Sequence, residues 1–195
     1  MANVNAPFGL RPIKRIDGRF YGTANTYPIA SATAANIGRG NFVKKTGSGN
    51  YITLGTNGTA PVIGVFLGVQ YRDSVGETKF RPNWVTGTVT FNSEDAKALV
   101  LDDPSLVFLI QANVTGVAAA DIGQFAGITV GAPDANGNGT DVLDGADITG
   151  TADNAKILRL SDLPVAGRAA NAYGAYAIVE AMFGIHELRG NPQAT

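Results

Sequence analysis

The chain has 195 residues, no cysteine, one histidine (His186), 25 glycines and a formal net charge of -1. Groups that titrate near neutrality, ligate soft metals or act as thiol nucleophiles are therefore almost absent, which removes the usual residues of most reaction mechanisms and points to a structural protein rather than an enzyme. A charged fraction of 16% with the two signs balanced creates no field for nucleic acid or an anionic membrane, and a chain without cysteine has no disulfide framework.

In chain order, residues 1–30 read as an extended arm. Pro7, Pro12 and Pro28 remove backbone donors and fix φ, and Gly9, Gly18 and Gly22 loosen the chain between them, so neither a helix nor a central strand runs through. Arg11, Lys14, Arg15 and Arg19 stand against Asp17 alone, with Phe8, Phe20, Tyr21 and Tyr27 interleaved. Such an arm either clamps a neighbouring subunit or is a disordered or self-docked terminus. Met1 to Leu10 has neither the basic start nor the apolar core of a signal peptide, and the longest apolar runs, Val62 to Val69 and Leu106 to Ile110, fall far short of the ~20 residues of a membrane-spanning helix. The Asn-x-Ser/Thr triplets at Asn57, Asn113 and Asn138 are expected to be accidents of composition.

Residues 31–195 read as a single β-rich domain. Phe42 to Lys45 and Tyr51 to Leu54 flank Thr46–Asn50 as a hairpin, and Val62 to Tyr71 is a longer strand whose Gly64 and Gly68 predict bulges in a small, strongly curved sheet. Thr86 to Phe91 alternates like a strand, and Leu106 to Ala112 is apolar enough for a buried one. Ser93 to Leu99 carries an N-cap serine and early acids, which predict a turn or two of helix, and a second short helix is expected from Asp121. Residues 131–154 form an acidic, glycine-rich insert with Asp134, Asp141, Asp144, Asp147 and Asp153, expected as a long loop or a solvent-facing hairpin. Tyr176 to Leu188 fits both helical and alternating spacing, and strand is preferred. The fold expected is mainly β, a small β-barrel or β-sandwich with an extended N-terminal arm and few short helices.

No constellation favours catalysis. Asp134-Ala135-Asn136-Gly137-Asn138-Gly139 matches the first half of a calcium loop, but position 12 is Gly145, and an ordinary Asx-glycine turn accounts for the residues. Gly38-Arg39-Gly40 and Gly47-Ser48-Gly49 lack the context of a phosphate loop and read as hairpin turns. His186 beside Glu187 and Arg189 is expected to make a surface hydrogen bond. Asp102-Asp103 reads as a turn ahead of Pro104, and Glu94-Asp95 as a pair pointing to opposite faces of the backbone. Trp84, near Arg81 and Tyr71, could serve as a sugar platform, but a core or interface role is expected. No cofactor and no metal are expected.

Three stretches carry a resemblance: Met1-Ala2-Asn3 with Ala6-Pro7-Phe8-Gly9-Leu10-Arg11-Pro12; Leu101-Asp102-Asp103-Pro104-Ser105 running into the apolar segment that ends Ile110-Gln111-Ala112; and Tyr173 to Arg189 with His186-Glu187-Leu188-Arg189. Together they resemble a family of small structural proteins encoded by tailed bacteriophages, chiefly among head genes. The resemblance implies a capsid decoration, or cement, protein: a homo-oligomer, dimer or trimer, bound to the major capsid protein on the capsid exterior after assembly in the host cytoplasm. Its contacts are expected through Phe8, Arg11, Lys14, Arg15, Arg19, Phe20 and Tyr21, and deletion of residues 1–30 is expected to abolish shell binding while leaving the β domain folded. Other virion roles (head completion, tail or host recognition) and a carbohydrate-binding module built on Trp84 are the alternatives.

Overall fold

The structure is a computed structural model that describes residues 3–20, 22–46, 50–58, 61–162 and 171–189. Among these residues the chain forms β1 (Arg11–Arg15), β2 (Asn25–Ile29), β3 (Phe42–Lys45), β4 (Ile52–Leu54), β5 (Gly64–Arg72), β6 (Thr78–Arg81), β7 (Ala96–Leu101), β8 (Leu106–Gln111), β9 (Phe125–Thr129), β10 (Val142–Thr149), β11 (Ala155–Leu160) and β12 (Ile178–Phe183). Short 3₁₀ turns lie at Phe91–Ser93, Ala119–Asp121 and Glu187–Arg189. The strands build two antiparallel six-stranded sheets that stack as a sandwich, neither closing into a barrel. Sheet I runs β1-β8-β12-β11-β9-β10; sheet II runs β2-β7-β5-β3-β4, with β6 paired to the far half of β5.

Alternation along the central strands decides which side chains meet. Leu106, Phe108 and Ile110 of β8 face Val179, Ala181 and Phe183 of β12 and Val65 of β5 in the core between the sheets, where the Phe108 and Phe183 rings lie 4.8 Å apart. The next residue of β5, Phe66, points the other way, into a second core with Ile29, Val43, Ile52, Val69, Tyr71, Ala96, Ala98 and Val100. Sheet II curls around this second core until β2 and β4 touch, and Ile37 and Trp84, joined by two backbone hydrogen bonds, cover it. The glycines of β5 permit the curl as expected. A Cβ on Gly64 would sit 2.1 Å from the Leu101 carbonyl oxygen, and the register shifts between Phe66 and Gly68.

Residues 3–20 and 22–30 are extended apart from the turn at 16–19, but they do not stand off as an arm. The chain adopts the self-docked alternative: β1 is the edge of sheet I on β8, and β2 is the edge of sheet II on β7. Pro12 and Pro28 exclude this segment from a sheet centre yet suit an edge, where only one side of the strand needs donors. Leu10 and Ile29 are buried in the two cores.

Three further expectations change. Ser93 to Leu99 is no helix: Asn92 and Ser93 take φ of +49° and +59°, and from Ala96 the chain alternates buried and exposed residues as β7, held between β2 and β5. Thr86 to Phe91 is no strand either, because Gly87 turns the chain at φ +77° and Phe91 opens a 3₁₀ turn. The helix expected from Asp121 is a single 3₁₀ turn that ends there. The insert at 131–154 is a loop followed by β10 on the edge of sheet I, and part of it points inward. Asp141 is fully buried and accepts hydrogen bonds from the backbone N–H groups of Phe42 and Gly131, both at 2.9 Å, and from Asn41 Nδ2 at 2.5 Å. Burial pushes its carboxyl up to about 7, against the pull of those three donors.

Two outcomes follow. Deleting residues 1–30 strips Leu10 and Ile29 from the cores, each a loss of about 2–5 kcal/mol, so the truncated chain is expected to show no cooperative thermal transition by near-UV circular dichroism. Asp141→Ala removes the acceptor that the Phe42 and Gly131 N–H groups and Asn41 Nδ2 share and is expected to cost about 3 kcal/mol in urea unfolding, whereas an exposed acid such as Glu77→Ala changes little.

Candidate protein interface

The turn Asp102-Asp103-Pro104 carries the chain from β7 in sheet II to β8 in sheet I, and its side chains hold both N-terminal strands. Asp102 is buried. Both its oxygens accept from Asn25 Nδ2 at 2.9 Å, and Tyr27 Oη donates to Oδ2 at 2.5 Å, which fastens β2. Burial and the neighbouring carboxylate hold the Tyr27 hydroxyl protonated, far above its ordinary range. Asp103 Oδ2 lies 2.8 Å from Arg15 Nε at the end of β1, while its Oδ1 accepts from Ser105 N–H. On the other side of the turn, Arg189 Nη2 donates to the Pro104 carbonyl. The expected turn is present; its role as a clasp for distant strands was not visible from local spacing.

At the opposite end of β8, Gln111 does similar work. Its Oε1 accepts from Ala6 N–H, and its Nε2 donates to the carbonyls of Val4 and Tyr176. Asn3 Nδ2 donates to the carbonyls of Ala172 and Ala175. The described parts of the three stretches singled out in the sequence therefore lie side by side, feeding β1, β8 and β12, three adjacent strands of sheet I.

The interface candidates divide into three groups. Lys14 and Arg15 are engaged within the chain: Lys14 Nζ and Arg159 Nη2 reach the buried Glu180 at 2.9 and 2.8 Å, and Arg15 pairs with Asp103. Burial works to raise the Glu180 carboxyl, but the two cations outweigh it and hold it below the ordinary value. Phe8 and Arg11 line an open cleft with Arg39, Leu67 and Asn138. Arg19 and Phe20 sit on the turn after β1, where Gly18 takes φ +84°, Gly18 N–H bonds the Arg15 carbonyl and Arg15 N–H bonds the Arg19 carbonyl. Among the described residues the Arg19 side chain pairs only with Asp17, at 3.7 Å, and Phe20 is 90% exposed, with the exposed Ile16 on the same turn. Tyr21 lies outside the described residues, as does Gly47-Ser48-Gly49.

The remaining candidates resolve on geometry. Asp134 Oδ1 accepts from the N–H groups of Asn136 and Asn138, and those bonds hold its carboxyl below the ordinary value; donors pointing inward make an Asx turn, the reverse of a cation cage. Gly38-Arg39-Gly40 is a tight turn closed by Asn41 N–H on the Gly38 carbonyl, and it docks on residues 137–139 rather than linking a hairpin. Trp84 is fully buried edge-on to Tyr71, so it offers no sugar platform. Among the described residues, no three of His, Cys, Asp and Glu gather as metal ligands would.

His186 corrects the expectation of a surface contact. It is 2% exposed because the chain beyond β12 runs alongside Val62, placing the ring against Phe183, with Nδ1 accepting from Leu188 N–H. Burial, aided by Arg189 and opposed by Asp102, pushes its pKa down to about 4. The folded chain thus refuses a proton that the unfolded chain takes near pH 6.5, so this stabilisation is complete above pH ~6.5 and is lost as pH falls towards ~4. Asp141 titrates in the opposite sense, its folded form keeping a proton that the unfolded form has lost. Subtracting the stability of His186→Asn from that of the parent at each pH isolates the histidine: the difference is expected to shrink by on the order of 2–3 kcal/mol between pH 7 and pH 4.

No family model, curated protein or solved structure matches the chain.

Proposed function

We propose that this chain is a structural virion protein, a decoration or cement protein that binds the outside of a phage capsid, bridges adjacent major capsid protein subunits against the pressure of packaged DNA, and associates with copies of itself. The observation that carries the reading is the Ile16–Phe20 turn. It presents an almost fully exposed phenylalanine, a second apolar side chain and the exposed Arg19 on a segment whose flanking strands are fixed in different sheets by one clasp. Aromatic and arginine side chains held in place before contact make efficient anchors, since little conformational freedom is lost when they are buried.

Two features add support. The described parts of the stretches that resemble phage head proteins lie side by side, feeding three adjacent strands of sheet I rather than standing as scattered fragments. Buried acids act here as cross-chain ties: Asp102, Asp141 and Glu180 each join segments distant in sequence, as suits a protein whose task is to keep its shape under load. A cement needs no single strong contact, because engaging several subunits at once raises avidity by up to roughly 10²–10⁴.

Truncation of the N-terminal segment is no test of the reading, since that segment completes both sheets. Arg19→Glu with Phe20→Ser touches neither sheet pairing nor core. The double variant is expected to keep its melting temperature within about 2 °C and to lose at least about tenfold in occupancy on purified capsids, by quantitative mass spectrometry. Full occupancy by the variant refutes the turn as the anchor; absence of the parent chain from particles, or presence in only a few copies, refutes the cement.

A further inference from the structure

We infer that the cleft between the N-terminal segment and the Asp134–Asn138 turn is a second docking site, which takes an extended segment of another protein carrying an aspartate or glutamate beside an apolar side chain. The cleft has a volume of about 580 Å³. Pro7, Phe8, Leu10, Pro12 and Leu67 give it an apolar lining, and its polar groups are Arg11, Arg39, Asp134 and Asn138.

The walls are preformed. Leu10 N–H bonds the Gly40 carbonyl at 2.7 Å, Arg39 N–H bonds the Gly137 carbonyl at 2.9 Å, and Gly139 N–H returns to the Arg39 carbonyl at 2.8 Å. Gly9, at φ +69°, lets the N-terminal segment approach so closely that a Cβ there would lie 2.8 Å from Gly40 O and 2.9 Å from Gly139 O. Three segments far apart in sequence are thus laced backbone to backbone, so a ligand entering the cleft has little to reorganise.

The charges are unequal in what they have left to offer. Asp134 is the one acid in the lining, and its carboxylate is already taken by the Asn136 and Asn138 amides. Arg39 donates through Nη2 to Asn138 Oδ1 at 2.9 Å. Arg11 makes no ion pair or side-chain hydrogen bond with any described residue, in contrast to Lys14 and Arg15 on the same strand. An exposed guanidinium at the mouth of an apolar, proline-walled cleft is matched by a carboxylate, which it can bind through two parallel N–H groups, while the floor accepts the neighbouring apolar side chain. A nucleic-acid backbone fits poorly, because its repeated charges would run past Asp134 and the chain carries no net positive charge.

The site is separate from the Ile16–Phe20 turn, so the inference stands whether or not the partner is a capsid. The full chain is screened against an array of short randomised peptides, and the selected peptides are titrated by fluorescence anisotropy. Selection of sequences with Asp or Glu next to an apolar residue is expected. Binding should weaken about tenfold or more in Arg11→Gln and in the Asp→Asn form of the peptide, with Arg39→Gln adding to the loss. Arg11 has no side-chain partner among the described residues to lose, so its variant should melt as the parent does; if Arg39→Gln melts lower, Arg11→Gln alone decides. No enrichment, enrichment of neutral or basic peptides, or acidic peptides that bind Arg11→Gln as tightly as the parent overturns the inference. So does light scattering that shows the parent self-associating and Arg11→Gln not, since the occupant is then a second copy of the chain.

Discussion

The fold depends on a two-carboxylate corner. Where the chain leaves sheet II for sheet I, Asp102 and Asp103 face different ways, one into the interior and one towards the edge. Each holds one of the two N-terminal strands. Burying Asp102 is unfavourable unless its oxygens are matched, and they are matched by Asn25 and Tyr27 of β2, so the desolvation of one acid fixes the position of a strand some 75 residues earlier. Remove the corner and the sheets lose both the connection and the edges.

The same logic recurs at Asp141 and Glu180. The chain has few charges and no cysteine, so it has neither surface ion-pair networks in quantity nor covalent staples. It places single acids where several donors converge from distant segments. A satisfied buried carboxylate adds modest net stability, but a partly satisfied one is costly, so such sites penalise alternative registers more than they deepen the native minimum. For a β protein with many similar glycine-threonine segments, that penalty favours a single pairing scheme.

Much of the architecture was legible in the sequence. β3, β5 and β8 declared themselves through buried, β-branched or aromatic runs, Gly64 and Gly68 announced the curl, and β12, whose spacing also fitted a helix, was preferred as a strand. β7 was misread because Ser93-Glu94-Asp95 followed by Ala96-Lys97-Ala98 has real helical propensity, and only pairing with β2 and β5 overrides it. β6 left no trace, since Thr78 to Arg81 is mostly exposed and looks like loop. The prolines of β1 and β2 correctly excluded central strands but said nothing about edges. Of the candidate interface residues, exposure of Arg11, Arg19 and Phe20 agrees with the composition of the segment, whereas the capture of Lys14 by Glu180 and Arg15 by Asp103 appears only once β1 is in register with β8. Arg39, read with Gly38 and Gly40 as a hairpin turn, was missed as a cleft residue for the same reason: its partner Asn138 is 99 residues away, and nothing near Gly38 or Gly40 hints at a cleft.

The pairing of β1 with β8 and of β2 with β7 also sets a timetable. Arg11 meets Leu109 and Asn25 meets Val100, so the segment that holds β1 and β2 has no template until strands 75 to 98 residues further along have been made. Until then its apolar side chains and open backbone must wait in solution, exposed to wrong neighbours, as happens in topologies dominated by long-range contacts. Proline and lysine in those waiting strands hinder pairing with any other chain, which makes them guardians of solubility during biosynthesis as well as edges of the finished sheets.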